Sequence, residues 1–193
     1  MLLNDVMDAA KKAAAVTVTG FLDPPLRVAG DEIANVAPLP KLPGMLSDSR
    51  GIGVQLILVF QSVSQVLARW GENQGRAILG NLNCSIVLGG LQDEKALERW
   101  SGLAGHADTL QVRSNMQPGN VGAGWMVEEN EKPVLRQEEV RGLPDGVALV
   151  IYRNAPAMLV DLIPWTARPD GEETRAAIRR VRAARIRHWG GRP

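Results

Sequence analysis

Two continuous apolar runs, GVQLILVF at 53–60 and CSIVLGGL at 84–91, constrain this chain more than any other feature. Each is strand-length and bounded by turn or polar residues, the pattern of a strand buried on both faces. Between them, residues 62–81 carry Val63, Val66, Leu67 and Trp70 at helical spacing, with an interruption expected near Gly71–Gly75. Residues 93–105 read as a second helix, with Asp93 as N-cap and Gly102 or Gly105 near its end. Strand, helix, strand, helix in that order predicts right-handed parallel crossovers. The expected fold class is α/β, a three-layer domain with a mainly parallel sheet and a β-rich C-terminal end.

The flanking segments fill in the outline. Residues 2–16 read as a helix, stopped by the β-branched run Val16–Thr19 and Gly20. The DPP at 23–25 makes a turn, and a short strand follows over Leu26–Ala29, ending at Gly30-Asp31-Glu32. APLPKLP at 37–43 is too proline-rich for a helix and reads as an ordered connector packed on the domain, after which Ser47 would cap a brief helical turn. Residues 108–127 predict a hairpin around MQPGNV, EEVRGLPDG a helical turn and loop, and 147–154 and 158–165 two strands around APA. Expected boundaries are an N-terminal helix over 1–20, the main domain over 21–165 and a basic tail over 166–193.

Composition excludes several classes. At 193 residues and 45% hydrophobic, the chain can bury one core. Cys84 is the sole cysteine, expected as a core thiol, so no internal disulfide can form. His106 and His188 offer no zinc-ligand spacing. Acids and lysines interrupt the N-terminal stretch where a signal peptide needs an apolar core, and no run approaches the roughly 18 apolar residues of a membrane span. A cytoplasmic protein is expected, touching a membrane only through a partner or a missing segment. From Thr166 onward eight basic residues face three acidic ones, so the net charge of +1 leaves a mildly acidic body.

Asp31 and Glu32 close a predicted strand, where α/β folds face their ligands. There one carboxylate can hold hydrated Mg2+ while its neighbour polarises an attacking water; alternatively the acids cap the next helix. Gln61 ends the run QLILVF, as a phosphate-sensing amide or as a helix cap. Arg50, in SDSRGIG, is a candidate arginine finger or a solvated loop residue. In the tail, Arg175, Arg179, Arg182, Arg185 and Arg187 surround a thin stripe of Ile178, Val181 and Trp189. That composition suits phosphate contacts on nucleic acid, an anionic membrane surface, or a solvated helix. No GxxxxGK[ST] phosphate loop occurs in the sequence, so weak or no ATP binding is expected of the chain alone.

The ordered series of DEIAN, the Pro-rich connector, SRG, a buried strand followed by QSVSQ, ILGN and LGG resembles the C-terminal half of TraG/TraD-type coupling proteins of conjugative type IV secretion. The resemblance is close over 22–106 and extends to 135–165. It implies a RecA/FtsK-like P-loop ATPase fold, hexameric and DNA-pumping in the parent motor, with ATP and Mg2+ as its cofactors. It further implies a Walker B pair in which Asp31 serves Mg2+ and Glu32 is the catalytic base, Gln61 as sensor, and Arg50 as a trans-acting arginine. The segment around 30–106 is similar to the TraM-recognition region, so a relaxosome accessory protein or another secretion component is the implied partner. Arg27 and Gly30 interrupt a strand that the family usually keeps apolar. With no Walker A half, the expectation is a fragment or a chain completed by another polypeptide, inactive and monomeric alone. The alternative is a non-enzymatic module that docks a relaxosome protein or DNA.

Overall fold

The computed structural model describes residues 2–36, 39–115 and 124–189. Strand β1 (Leu26–Gly30) runs parallel to β2 (Val54–Leu58), with Leu26 opposite Val54 and Gly30 opposite Leu58. Gly53 sets the start of β2: its φ of 77° is open to glycine at little cost, and its carbonyl accepts from Leu26 N at 3.0 Å.

Three helices and a turn close over one face of this pair. Helix α1 (Leu2–Ala15) contributes Met7 and Ala10, the single turn α2 (Ile33–Val36) follows β1, and α3 (Leu42–Ser49) adds Leu42 and Met45. Helix α4 (Val63–Gly80) supplies Val66, Ile78 and Leu79. Leu39 is buried in the same cluster, so that part of the proline-rich connector packs on the core, while Ala37 and Pro38 lie outside the described residues. The connector ends sooner than its prolines suggest. Pro43 occupies the first turn of α3, where a missing N–H breaks no intrahelical bond, and Ser47 is inside the helix rather than capping it. The interruption expected in α4 is present at Gly71, whose φ of 79° and ψ of 162° are not helical.

Strand β3 (Cys84–Leu88) departs from the simple crossover. It pairs antiparallel with β6 (Val147–Tyr152), which pairs antiparallel with β7 (Met158–Asp161); β2 and β3 do not pair. Arg153 N to Asn83 O at 3.0 Å extends the pairing with β6 before the start of β3, while beyond its end Gly90 N donates to the carbonyl of Arg141, in the short helix Gln137–Arg141, at 2.9 Å. Gly89 is needed here because a Cβ would stand 2.2 Å from the Leu143 carbonyl oxygen. Helices α5 (Glu94–Ala104) and α6 (Gln137–Arg141) cover one face of this sheet through Ala96, Leu97, Trp100 and Val140 against Val87 and Leu149. A hairpin of β4 (His106–Asn115) and β5 (Gly124–Pro133) projects between them in sequence, in antiparallel register from His106–Pro133 to Asn115–Gly124. Its connecting MQPGNV lies outside the described residues. The basic tail forms α7 (Gly171–Trp189). Among the described residues no helix is long and apolar enough to cross a membrane.

The two apolar runs are not buried on both faces. In β2, Val54, Leu56 and Leu58 join the core, whereas Ile57 is 55% exposed. Cys84 is exposed as well, not a core thiol. A continuous apolar run predicts two covered faces, but the helices present cover only one.

Candidate functional site

Because β1 and β2 run in the same direction, both release the chain at one edge, the C-terminal edge where α/β sheets meet ligands. Val59 N donates to Gly30 O at 2.9 Å and Ile33 N to Val59 O at 3.4 Å, so the two exits stay paired beyond the strands. Glu32, two residues past β1, has φ of 48°, a left-handed conformation that costs a residue with a side chain about 1–2 kcal/mol. The turn of α2 holds it there: Asn35 N and Val36 N donate to Glu32 O at 2.8 and 3.0 Å. Strain of this kind concentrates at functional sites.

The carboxylate meets the predicted glutamine. Gln61 Nε2 donates to Glu32 Oε1 at 2.9 Å, and Asn35 Nδ2 reaches Glu32 Oε2 at 3.5 Å, the long limit of a hydrogen bond. Gln65 closes a ring: its Nε2 donates to Asn35 Oδ1 at 3.2 Å, and its Oε1 accepts from Gln61 N at 3.1 Å. Gln65 is itself fixed at the start of α4, where Ser62 Oγ accepts from Gln65 N at 3.0 Å as the N-cap. Gln61 is therefore not the cap of α4. Glu32, Asn35 and Gln61 are exposed and Gln65 is half-buried, beside an open depression lined by Ala34, Asn35, Gln65, Ala68 and Arg69.

Asp31 is exposed, and its side chain has no hydrogen bond or ion pair among the described residues. Its donor chemistry suits a Mg2+ that keeps most of its waters and takes its other ligands from phosphates. Among the described residues no three His, Cys, Asp or Glu side chains gather to cage a metal. Arg50 is not joined to this network: its Nη2 donates to Asn83 Oδ1 at 2.7 Å, just before β3.

A second anchor supports the same helix. Asp93, the expected N-cap of α5, accepts from Ala96 N at 3.2 Å and also takes the hydroxyl and backbone N–H of Ser64. The Ser64 hydroxyl foremost, aided by backbone N–H groups, holds the Asp93 carboxyl below the usual carboxylate range against a smaller opposing effect of burial. It ties the segment after β3 to the first turn of α4, three residues from Gln61.

In the tail, Arg179 Nη2 pairs with Glu172 Oε1 at 3.0 Å, and Arg175 pairs with Glu172 Oε2 at 3.5 Å while lying 5.9 Å from the Trp165 ring centre. Arg182 is exposed, and the side chain of Arg185 is outside the described residues.

Asn35 and Gln65 are members of the network to which sequence reasoning assigns no chemistry. The spacing S-x-x-Q at 62–65 signals a capping arrangement, but nothing local places Asn35 against Gln65.

Fold and edge together define an α/β chain with carboxylates at the C-terminal ends of parallel strands. Residues 25–145 match the family described as the TraM recognition site of TraD and TraG, and the chain belongs to that family. The resemblance read from the sequence is thereby shown. Among solved structures the chain is similar to the bacterial conjugative coupling protein TrwBdeltaN70 in its unbound monoclinic form, at 24% identity and TM-score 0.66, covering 84% of this chain and 37% of that one. It is also similar to the plasmid coupling protein TrwB in complex with ADP and Mg2+, at 23% identity and TM-score 0.62 over 84% of this chain and 36% of that one. The complex of TrwB with the non-hydrolysable ATP analogue ADPNP gives 22% identity and TM-score 0.63 over the same shares. At these identities the likeness is one of fold. The chain spans little more than a third of the TrwB chains it matches. No curated protein matches it.

Proposed function

We propose that this chain is the C-terminal part of the motor of a conjugative DNA-transfer coupling ATPase, carrying the Walker B and sensor edge of a three-layer, RecA/FtsK-like domain. The observation that carries the reading is the 2.9 Å bond between Gln61 Nε2 and Glu32 Oε1 at the shared edge of two parallel strands. When bound, Mg-ATP would supply the electrophilic γ-phosphorus and, as the β–γ P–O bond breaks, ADP as the leaving group. Asp31, exposed at the strand exit, would hold the hydrated Mg2+. Glu32 accepts the proton of the attacking water on a carboxylate oxygen. Gln61 orients that oxygen, and can turn its amide toward the phosphate instead. Phosphate-cradling amides and a lysine would come from a Walker A segment, because no GxxxxGK[ST] loop occurs in this sequence.

Calorimetric titration with Mg-ADPNP tests the reading. Binding is expected when a Walker A-bearing polypeptide is added, and weakened in Asp31→Asn. Binding that is the same in Asp31→Asn and wild type would remove Asp31 from the site.

The family description favours a second reading, a docking module for a relaxosome accessory protein of the TraM type. Partner binding unchanged in both Asp31→Asn and Glu32→Gln is the outcome expected of it. The basic helix α7 then offers Arg175, Arg179, Arg182 and Arg185 to DNA, with Arg175 and Arg179 first releasing Glu172.

A further inference from the structure

Helix α7 starts where the chain folds back on itself. Ala167 N donates to Pro164 O at 2.9 Å, Arg168 N to Trp165 O at 3.3 Å and Gly171 N to Arg168 O at 2.9 Å, so residues 164–171 wind into one compact turn. Arg168 spans it with two bonds to the Asp170 carboxylate, at 3.0 and 3.1 Å. Gly171 lets α7 begin against that turn, since a Cβ there would stand 2.7 Å from Trp165 O and 3.1 Å from Thr166 O. The Trp165 indole, 44% exposed, is thereby held beside the first turns of α7, with the Arg175 guanidinium 5.9 Å from its ring centre.

The helix that leaves this turn takes its positive charge from arginine, with no lysine. A guanidinium forks onto two phosphate oxygens where an ammonium makes a point contact. At 3.6 residues per turn, Arg175, Arg179 and Arg182 share one face over about 10 Å of helix axis. Glu172 bridges the first two of them. Arg179 foremost, aided by Arg175, holds the Glu172 carboxyl below the usual carboxylate range, so both guanidiniums already grip an anion where a phosphate could sit. Ile178 and Val181 fall between arginine positions around the helix, so α7 presents no separate apolar face to a membrane.

We infer that Trp165, Arg175, Arg179 and Arg182 form a binding site for single-stranded DNA, in which a base stacks on the indole and phosphates displace Glu172 from its two arginines. The inference rests on the reading that α7 offers its arginines to DNA, and adds to it the indole and the unpaired strand. A row of cations beside an exposed, pre-set aromatic ring is the combination that takes backbone and base together. A duplex offers the same phosphates but keeps its bases stacked on one another. The site lies outside residues 25–145, which the family description covers, and uses neither Glu32 nor Gln61.

The experiment measures fluorescence anisotropy of three labelled probes with the full chain: oligothymidine, an abasic strand of the same length and a duplex of the same length. Trp165→Ala, shown folded by circular dichroism, is expected to weaken oligothymidine by about tenfold while leaving the abasic strand and the duplex unchanged. Trp165→Phe should recover most of that loss. Arg175→Ala combined with Arg179→Ala should weaken all three probes and reduce the salt slope for oligothymidine by about 1.4, two phosphates' worth. Glu172→Gln should tighten all three, and unchanged binding would overturn the displacement of Glu172. If Trp165→Ala weakens oligothymidine and the abasic strand alike, or weakens neither, the stacking site is overturned while α7 remains a phosphate-binding helix. Binding to none of the probes overturns both readings, and capture by phosphatidylserine vesicles in their place makes a membrane the occupant. A uridine oligomer bound more tightly than oligothymidine overturns the assignment to DNA.

Discussion

Gly53→Ala is the substitution whose cost follows most directly from the geometry. Gly53 has φ of 77°, and a Cβ there would stand 2.7 Å from Leu22 O, 2.8 Å from Leu22 N and 3.0 Å from the Phe21 ring. The left-handed conformation costs an alanine about 1–2 kcal/mol. The clash is with backbone, which cannot swing aside, and overpacking of that kind adds about 1–3 kcal/mol. Together these give a loss of about 2–5 kcal/mol, a large share of the stability of a domain this size. The damage also bears on the site, because Gly53 O and Leu26 N open the register that carries Glu32 to Gln61. Urea unfolding followed by circular dichroism measures the loss, with Gly51→Ala as control, since nothing lies within 4 Å of the Cβ it would add. The control should match or slightly exceed wild type. A Gly53→Ala midpoint equal to that of the control would refute the reasoning about both the clash and the strand start.

Three further predictions concern the frame around the site. Ile78→Ala, at a wholly buried position under β1–β2, should cost about 2–5 kcal/mol in the same unfolding assay. Gly89→Ala should be similarly destabilising, by about 1–3 kcal/mol or more, because its Cβ would meet the Leu143 carbonyl; it should expose the antiparallel β3–β6 contact to faster amide exchange. The folded-state pKa of Asp93 is depressed, so the stability it contributes is present above the unfolded carboxylate pKa of about 4 and lost as pH falls through the lower folded value. Asp93→Asn should therefore lower stability at neutral pH and flatten the acid limb of the stability profile below about pH 4, whereas an unchanged acid limb would discount the Ser64 hydrogen bond as its cause.

Much of this was legible before any coordinates. The apolar runs and helical spacing place β2, α4, β3 and α5, Gly71 marks the break in α4, and Asp93 caps where expected. Strand partners were not legible. The antiparallel union of β3 with β6 joins residues far apart in sequence, and no local pattern distinguishes it from a parallel crossover. Nor does periodicity register an uncovered face: QLILVF and CSIVL read as fully buried because their apolar content suits two covers, of which the helices here supply one. The prolines of the connector argue against a helix, yet a first-turn proline is compatible with α3. At the site, Glu32 and Gln61 could be anticipated from parallel strand ends. Asn35 and Gln65 could not, because their contact depends on how α2 packs beside α4. Arg50 donates to Asn83 and is not joined to Glu32 or Gln61 among the described residues, an arrangement that bears on neither outcome for an arginine expected to act in trans.

The most direct test of the central claim is ATP turnover by this chain reconstituted with a Walker A-bearing polypeptide, compared with Glu32→Gln under the same conditions. If Glu32 is the base that the Gln61 bond holds at the strand edge, the wild-type mixture turns over ATP and the variant loses about 100-fold or more while still assembling. Equal turnover in the two mixtures would contradict the account, leaving the Glu32–Gln61 pair as a structural turn rather than half of an ATPase site.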